Sequence, residues 1–181
     1  MKQKVLLLHG WGGSDTPHWQ SWLASEIAKD YGKVSFLKFS DFEFPDKERW
    51  KKELLIELAD FKPDVVVCHS LANTLWFHIC NEESMRDVEK LFLVAVPSLK
   101  CDVEEIKSFF PLDAPKNLHA KEVLLVGSTN DPYMIQSELK ELQTSLDVKM
   151  ETLVDAGHIN SDSGYGEWQW ILNKIKGNDS E

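Results

Sequence analysis

The sequence predicts one α/β domain built on a doubly wound parallel sheet, and two patterns carry this prediction. Six short apolar runs recur along the chain, and segments with helical period separate them. Most of the runs are continuous rather than alternating, which is typical of strands covered on both faces. Strands that alternate with helices pair in parallel through right-handed crossovers. We therefore expect a compact single domain with about six mostly parallel strands and helices on both faces.

The strands and helices follow each other in a regular order. The predicted strands are Val5–His9, Val34–Phe39, Asp64–His69, Leu91–Pro97, Glu122–Ser128 and Lys149–Asp155. Four segments keep one apolar stripe, which predicts helices around Trp19–Ile27, Trp50–Phe61, Ile135–Leu146 and Trp168–Ile175. Thr16 and Pro17 suit the cap and first position of the first helix. The segment after Ser70 is apolar nearly all round, which predicts a buried central helix.

Composition limits the classes of function. The chain has 181 residues, which suits one domain over residues 1–177 and a frayed tail over residues 178–181. The net charge of −10 would repel nucleic acid and anionic membranes. No apolar run is long enough for a signal peptide core or a membrane span, so we expect a cytoplasmic protein. The three cysteines lack metal or redox spacing, and we expect no metal and no cofactor.

Polar residues collect directly after four of the predicted strands. In an open parallel sheet, ligands bind beyond the carboxyl ends of the strands. The segments found there are HGWGG after the first strand, CHSLA after the third, STNDPY after the fifth and DAGHINSDSGYG after the sixth. These segments bring together Ser70, Asp131 and His158, in the chain order of α/β-hydrolases. We expect His158 to take the Ser70 proton and Asp131 to orient the His158 ring.

Each member of this set has alternatives. A serine at a strand-to-helix junction can be only a helix cap, and Asp131 before Pro132 can be only a turn former. Asp155 and Asp162 are rival acids, but Asp131 has a loop of its own after the preceding strand. The other histidines have other expected positions. We expect His9 in the first loop and His78 in the buried helix. His69 should face away from the site by strand alternation, and His18 and His119 should lie at the surface.

The first loop supplies the remaining parts of the predicted site. A tetrahedral oxyanion needs preorganised donors, and the main-chain N–H groups of Trp11 and Leu71 are placed to provide them. His9, Gly10 and Trp11 are the predicted substrate-binding residues. A zinc site has little support because neither H-E-x-x-H nor H-x-x-E-H occurs, and GWGGSD lacks the lysine of a phosphate loop.

Four stretches together resemble the small serine hydrolases of the retinoblastoma-binding-protein-nine and YdeN type, within the α/β-hydrolase superfamily. They are VLLLHGWGGS, VVVCHSLANT, GSTNDPY and DAGHINSDSGYGEW. The resemblance implies a short α/β-hydrolase with Ser70, Asp131 and His158 as its triad, acting on small esters or amides. The chain departs from the superfamily at Cys68 and Ala72, where glycine is usual.

These departures lead to two expectations for the structure. Glycine usually lies two residues before and after such a serine, because the strand and the helix approach each other closely at this turn. Cys68 and Ala72 are small replacements, so we expect the turn to be retained and Ser70 to have unfavourable backbone dihedrals. Only Ser98–Lys121 is available to cover the site, which predicts no lid domain and an open crevice walled by Trp11 and by Phe109 or Phe110.

Two functions of different classes remain open from the sequence, beside a minor alternative in which oxidation of Cys68 next to the turn regulates a hydrolase. The first is a serine hydrolase acting on a small acyl ester, thioester or amide through an acyl-enzyme. The second is a catalytically inactive binding module of the same fold that recognises a protein or small-molecule partner, because fold alone does not decide function. If the protein is a serine hydrolase, its expected partner is a small-molecule acyl substrate. The sequence indicates no particular protein partner.

Overall fold

The computed structural model describes residues 3–82 and 84–178. Within them, six parallel strands form one sheet in the order β2-β1-β3-β4-β5-β6. The strands are β1 (Lys4–Leu8), β2 (Lys33–Leu37), β3 (Val65–His69), β4 (Val88–Val94), β5 (Ala120–Ser128) and β6 (Lys149–Leu153). This arrangement confirms the predicted sheet, with each strand close to its expected position. The predicted tail falls largely on residues 179–181, which lie outside the described residues.

Five α-helices are found in the described part of the chain: α1 (Trp19–Glu26), α2 (Lys47–Phe61), α3 (Leu71–Glu82), α4 (Gln136–Leu146) and α5 (Gln169–Lys176). A π-helical turn, Ile27–Tyr31, continues α1. The predicted start of α1 at Thr16 and Pro17 is wrong. His18 caps the helix instead, because its Nδ1 accepts a hydrogen bond from the Gln20 N–H at 3.1 Å.

Two apolar clusters cover the two faces of the sheet. One face packs against α2, α3 and α4, and the other packs against α1 and α5. Side chains of one strand alternate between these clusters, as Val66 and Cys68 do with Val65 and Val67. The central strands are therefore buried on both faces, which is why they read as continuous apolar runs. The edge strands β2 and β6 are only partly buried.

The parallel sheet brings the loops after β1, β3, β5 and β6 to one edge. The β4–β5 connection, residues 95–119, lies between these loops in sequence and contains one short 3₁₀ helix, Glu104–Phe109. This connection carries no separate domain. In the described residues, no helix has both the length and the apolar character needed to cross a membrane.

Candidate active site

Ser70 lies in a strained turn between β3 and α3. Its φ is 53°, in the left-handed region, which confirms the unfavourable geometry expected from the sequence. Such a conformation costs a non-glycine residue about 1–2 kcal/mol. The Ser70 N–H donates to the Val94 carbonyl of the adjacent strand at 3.0 Å. The turn is therefore tied to β4 and is not a relaxed helix start.

Asn73 holds this turn from inside α3, a role that the sequence analysis missed. Its side-chain Nδ2 donates to the Ser70 carbonyl and to the Val94 carbonyl, each at 2.8 Å. Its main-chain N–H also donates to the Ser70 carbonyl at 3.0 Å. Asn73 is fully buried, and these hydrogen bonds stabilise the left-handed residue.

The close approach at the turn is accommodated by Gly10, not by glycines beside the serine. Cys68 and Ala72 are fully buried in the core on the α2–α4 face, where their small side chains fit. A Cβ added at Gly10 would lie 2.8 Å from the Ser70 Cβ and 3.2 Å from the Leu71 main-chain nitrogen. The loop opposite the serine therefore supplies the space that this turn needs.

Ser70, His158 and Asp131 form one line of hydrogen bonds. The Ser70 Oγ is 2.7 Å from His158 Nε2, and His158 Nδ1 is 2.9 Å from Asp131 Oδ2 and 3.0 Å from Oδ1. Because a carboxylate only accepts, His158 Nδ1 carries the proton and Nε2 is free to accept from the serine. The three side chains come from three strand ends, as the sequence predicts.

Asp131 is fixed in place and shielded. Its side chain is 2% exposed, and its Oδ1 also accepts the main-chain N–H of Tyr133 at 2.9 Å. The rival acids Asp155 and Asp162 are both exposed. The loop before Asp131 is tied to the His158 loop, because Asn130 Oδ1 accepts the Gly157 N–H at 2.7 Å.

The two residues predicted to donate to the oxyanion, Trp11 and Leu71, both line the crevice that holds Ser70. Leu71 begins α3, so helix geometry leaves its N–H without an acceptor inside the helix. Trp11 belongs to the loop after β1, which is held by two contacts with the segment after β2. Its indole Nε1 donates to the Glu43 carbonyl at 3.0 Å, and the Gly12 N–H donates to the Phe42 carbonyl at 3.0 Å.

His9 does not line the crevice. Its Nδ1 donates to the Gly10 carbonyl at 2.7 Å, and its Nε2 accepts the Phe39 N–H at 3.0 Å. Burial lowers its pKa, against a smaller opposite effect of the Gly10 hydrogen bond. Both ring nitrogens are thus used within the protein. Of the three residues predicted to bind substrate, Gly10 and Trp11 line the crevice and His9 does not.

Two other histidines, His18 and His69, do not lie where the sequence analysis predicts them. His18 is buried rather than at the surface, and burial together with nearby His158 and His9 lowers its pKa to about 4. His69 does not face away from the site: its Nε2 lies 3.1 Å from the His158 carbonyl. Strand alternation places His69 on the α1–α5 face, and the His158 loop folds over that same face.

The crevice around Ser70 and His158 has a volume of about 270 Å³. Its walls include Trp11, Tyr133, Val103 and Ile106. The expectation that Phe109 or Phe110 forms the wall is wrong. Phe109 is fully buried, with its ring 5.6 Å from that of Trp50, and the preceding turn of the 3₁₀ helix faces the crevice instead.

A larger groove of about 750 Å³ is lined by residues of β4, β5 and β6 and of the segments just before β5 and β6. It contains none of the residues predicted to act in the site. Among the residues that the structure describes, no three His, Cys, Asp or Glu side chains lie close enough together to hold a metal ion.

Comparison with known proteins gives the family. A family model described as "Serine hydrolase" matches residues 5–176. The chain belongs to this serine hydrolase family. YdeN of Bacillus subtilis (strain 168) is 24% identical to it over 173 residues, which cover 91% of this chain and 90% of YdeN. The family and its relatives identify the chain as a hydrolase.

Solved structures share the fold. The crystal structure of the B. subtilis ydeN gene product has a TM-score of 0.87 at 19% identity, covering 99% of this chain and all of that one. A YdeN-like hydrolase from Pectobacterium atrosepticum has a TM-score of 0.79 at 22% identity, with 97% and 90% covered. The esterase domain of a Rhodothermus marinus protein has a TM-score of 0.69 at 13% identity, with 97% and 85% covered. The serine hydrolase described here therefore has the α/β-hydrolase fold.

Proposed function

We propose that this serine hydrolase cleaves a small carboxylic ester, thioester or amide through an acyl-enzyme on Ser70. The observation that carries the proposal is the hydrogen-bonded line from Ser70 Oγ through the His158 ring to Asp131, with distances of 2.7 and 2.9 Å. A nucleophile within hydrogen-bond reach of a base, and a base oriented by a third group, is the arrangement that activates serine.

Acylation uses these groups in sequence. The Ser70 oxygen attacks the substrate carbonyl carbon while His158 Nε2 takes the hydroxyl proton. Asp131 stabilises the imidazolium that forms and keeps the ring in its orientation. The carbonyl oxygen becomes an oxyanion, which accepts hydrogen bonds from the N–H groups of Leu71 and Trp11. When the intermediate collapses, the bond to the leaving group breaks and the leaving group takes the proton from His158.

Deacylation repeats the chemistry with water. His158 Nε2 takes a proton from water, and the hydroxide attacks the acyl carbon. Collapse of the second intermediate breaks the bond to Ser70, which recovers its proton from His158. The chain itself thus supplies the nucleophile, the base and the oxyanion donors.

The crevice supports a small substrate. Its volume of about 270 Å³ is slightly below the range of about 300–1,000 Å³ typical of sites for drug-sized ligands. Trp11 and Tyr133 are 40% and 51% exposed, so apolar surface is available beside the reacting groups. The relative from Rhodothermus marinus is an esterase domain, which makes small esters the first class to assay.

Labelling with a small fluorophosphonate, read by intact mass, tests the proposal. We expect one adduct on the native protein and none on Ser70→Ala. Ser25→Ala is the matched control, since Ser25 is an exposed serine of α1, and it should label like the native protein. No adduct on the native protein would contradict the proposal and favour the binding-module alternative. An adduct that persists on Ser70→Ala would assign the reactive serine elsewhere.

A further inference from the structure

The loop that carries His158 includes one short 3₁₀ helix, Ser161–Ser163, but the residues next to His158 lie outside it. The loop lies between β6 and α5, and the His158 neighbours Gly157 and Ile159 have φ values of 55° and 49°. The left-handed conformation is unfavourable for Ile159, and contacts from other elements help to hold this part of the loop. Two of these contacts hold its N–H groups: the Ala156 N–H donates to Ser128 Oγ at 3.0 Å, and the Gly157 N–H donates to Asn130.

Two buried rings hold the carbonyl groups of the same loop. His69 Nε2 is 3.1 Å from the His158 carbonyl, and Trp19 Nε1 donates to the Ile159 carbonyl at 2.8 Å. Because a carbonyl only accepts, the proton of His69 is on Nε2. Two consecutive carbonyls thus receive hydrogen bonds from ring N–H groups on β3 and α1, and both rings are buried.

His69 itself is held in a fixed orientation. Its ring centroid lies 4.8 Å from that of His18, 5.7 Å from that of Trp19 and 5.3 Å from that of His158. His69 also directly precedes Ser70 at the end of β3. The end of β3 therefore carries the nucleophile Ser70 and, through His69, also contacts the main chain of the base His158. This contact fixes the position of His158 relative to Ser70.

We infer that His69 is a positioning residue for His158: its Nε2–H fixes the main chain that carries the base and so maintains the distance between His158 Nε2 and the Ser70 oxygen. The inference rests on the proposed function, because it assigns a role relative to that base. Burial, together with the adjacent His18 and His158, holds the pKa of His69 well below its ordinary value. The ring is therefore neutral and does not oppose the charge that His158 acquires during turnover.

The test compares three variants. His69→Leu removes the donor at similar volume, His69→Gln keeps an amide N–H at about the reach of Nε2, and His69→Asn offers the same amide with a shorter reach. Since a misplacement of about 1 Å can cost about 10²-fold in rate, we expect His69→Leu and His69→Asn to lose about 10–100-fold in kcat for 4-nitrophenyl acetate. KM should stay within about twofold, and His69→Gln should recover most of the rate.

A spectroscopic readout separates positioning from general damage. The proton that His158 Nδ1 donates to Asp131 should give a far-downfield proton resonance. This resonance should shift or broaden in His69→Leu and persist in His69→Gln. Melting curves establish that each variant is folded. If His69→Leu does not fold, the comparison of His69→Gln with His69→Asn carries the test, because the two amides differ only in reach.

The outcomes are distinct. A folded His69→Leu with kcat within about twofold of native, or equal losses in His69→Gln and His69→Asn, would overturn the role of His69 while leaving the proposed function intact. Absence of both hydrolysis and fluorophosphonate labelling in the native protein would instead overturn the proposed function. Trp19→Phe is the matched comparison for the neighbouring carbonyl, and its loss of kcat should be smaller because Ile159 is one residue beyond the base.

Discussion

Replacing Gly10 by alanine should disable the site by adding a single methyl group. The new Cβ would lie 2.8 Å from the Ser70 Cβ, and 3.2 Å from both the His69 carbonyl oxygen and the Leu71 nitrogen. Ordinary contacts of a Cβ fall at 3.4–4 Å, so the serine or the loop must move by about 0.6–1 Å. Two of the three nearby atoms belong to the main chain, which cannot rotate out of the way.

The size of the effect follows from this displacement. A shift of about 1 Å in a reacting group costs about 10²-fold in rate, and overpacking of this kind costs about 1–3 kcal/mol of stability. The methyl group would also stand beside the Leu71 N–H, one of the two proposed oxyanion donors. We therefore expect the second-order rate constant for fluorophosphonate labelling to fall about 100-fold or more, with the fold retained.

The assay needs a control for adding a side chain to a glycine loop. Gly12→Ala is suitable because a Cβ there meets nothing within 4 Å, although its φ of 79° makes alanine strained. Gly12→Ala should lose about 1–2 kcal/mol of stability and little labelling rate. If Gly10→Ala is labelled within about twofold of the native rate, the close approach of Gly10 to Ser70 does not constrain the site, and the reasoning is refuted.

Three further predictions concern Asn73, Asp131 and His18. Asn73→Ala loses two buried hydrogen bonds of about 1 kcal/mol each, so urea unfolding should show a loss of about 2 kcal/mol and labelling should slow. Asp131→Asn should slow labelling by about 10³–10⁴-fold because the His158 ring loses its orienting carboxylate. The His18 pKa is about 4 when folded and about 6.5 when unfolded, so only the unfolded chain gains that proton between these pH values. At about 1.4 kcal/mol per pH unit, protonation of His18 in the unfolded chain lowers the free energy of unfolding by about 3 kcal/mol as pH falls from 6.5 to 4. The variant His18→Asn keeps a capping side chain, and in urea titrations it should lose this part of the pH dependence.

Each of these predictions has an outcome that would contradict it. Unchanged urea midpoints in Asn73→Ala would mean that the turn does not depend on the amide. Native labelling rates in Asp131→Asn would show that another group orients the base. Equal loss of stability on acidification in native protein and His18→Asn would assign the acid sensitivity to other groups, with buried His69 the first to test.

Much of the fold could be predicted because burial on both faces of the sheet leaves a direct pattern in the sequence. The central strands β1, β3 and β4 read as continuous apolar runs, and all six predicted strands are found in the sheet. The start of α1 was missed for a local reason. Thr16 and Pro17 carry the usual signals of a helix start, but the hydrogen bond from the Gln20 N–H goes to the His18 ring.

The sequence predicts those site residues that directly follow strands. It does not predict contacts between side chains of one element and the main chain of another. Ser70, Asp131 and His158 each follow a strand, so their convergence follows from a parallel sheet. The prediction that His69 faces away from the site was wrong, because strand alternation carries no information about which loop covers a face of the sheet. Asn73 had no signal at all, since a buried asparagine in an apolar helix reveals its partners only when the turn before it is known.

The β4–β5 connection forms part of the crevice wall and carries none of Ser70, Asp131 and His158. Ser70, Asp131 and His158 are held by the sheet, whereas Val103 and Ile106 belong to the connection between β4 and β5. That connection leaves the sheet after β4 and returns at β5, and its Phe109 is anchored in the core beside Trp50. Replacing Val103 and Ile106 should therefore reshape one part of the crevice wall while the strand ends that carry Ser70, Asp131 and His158 stay in place.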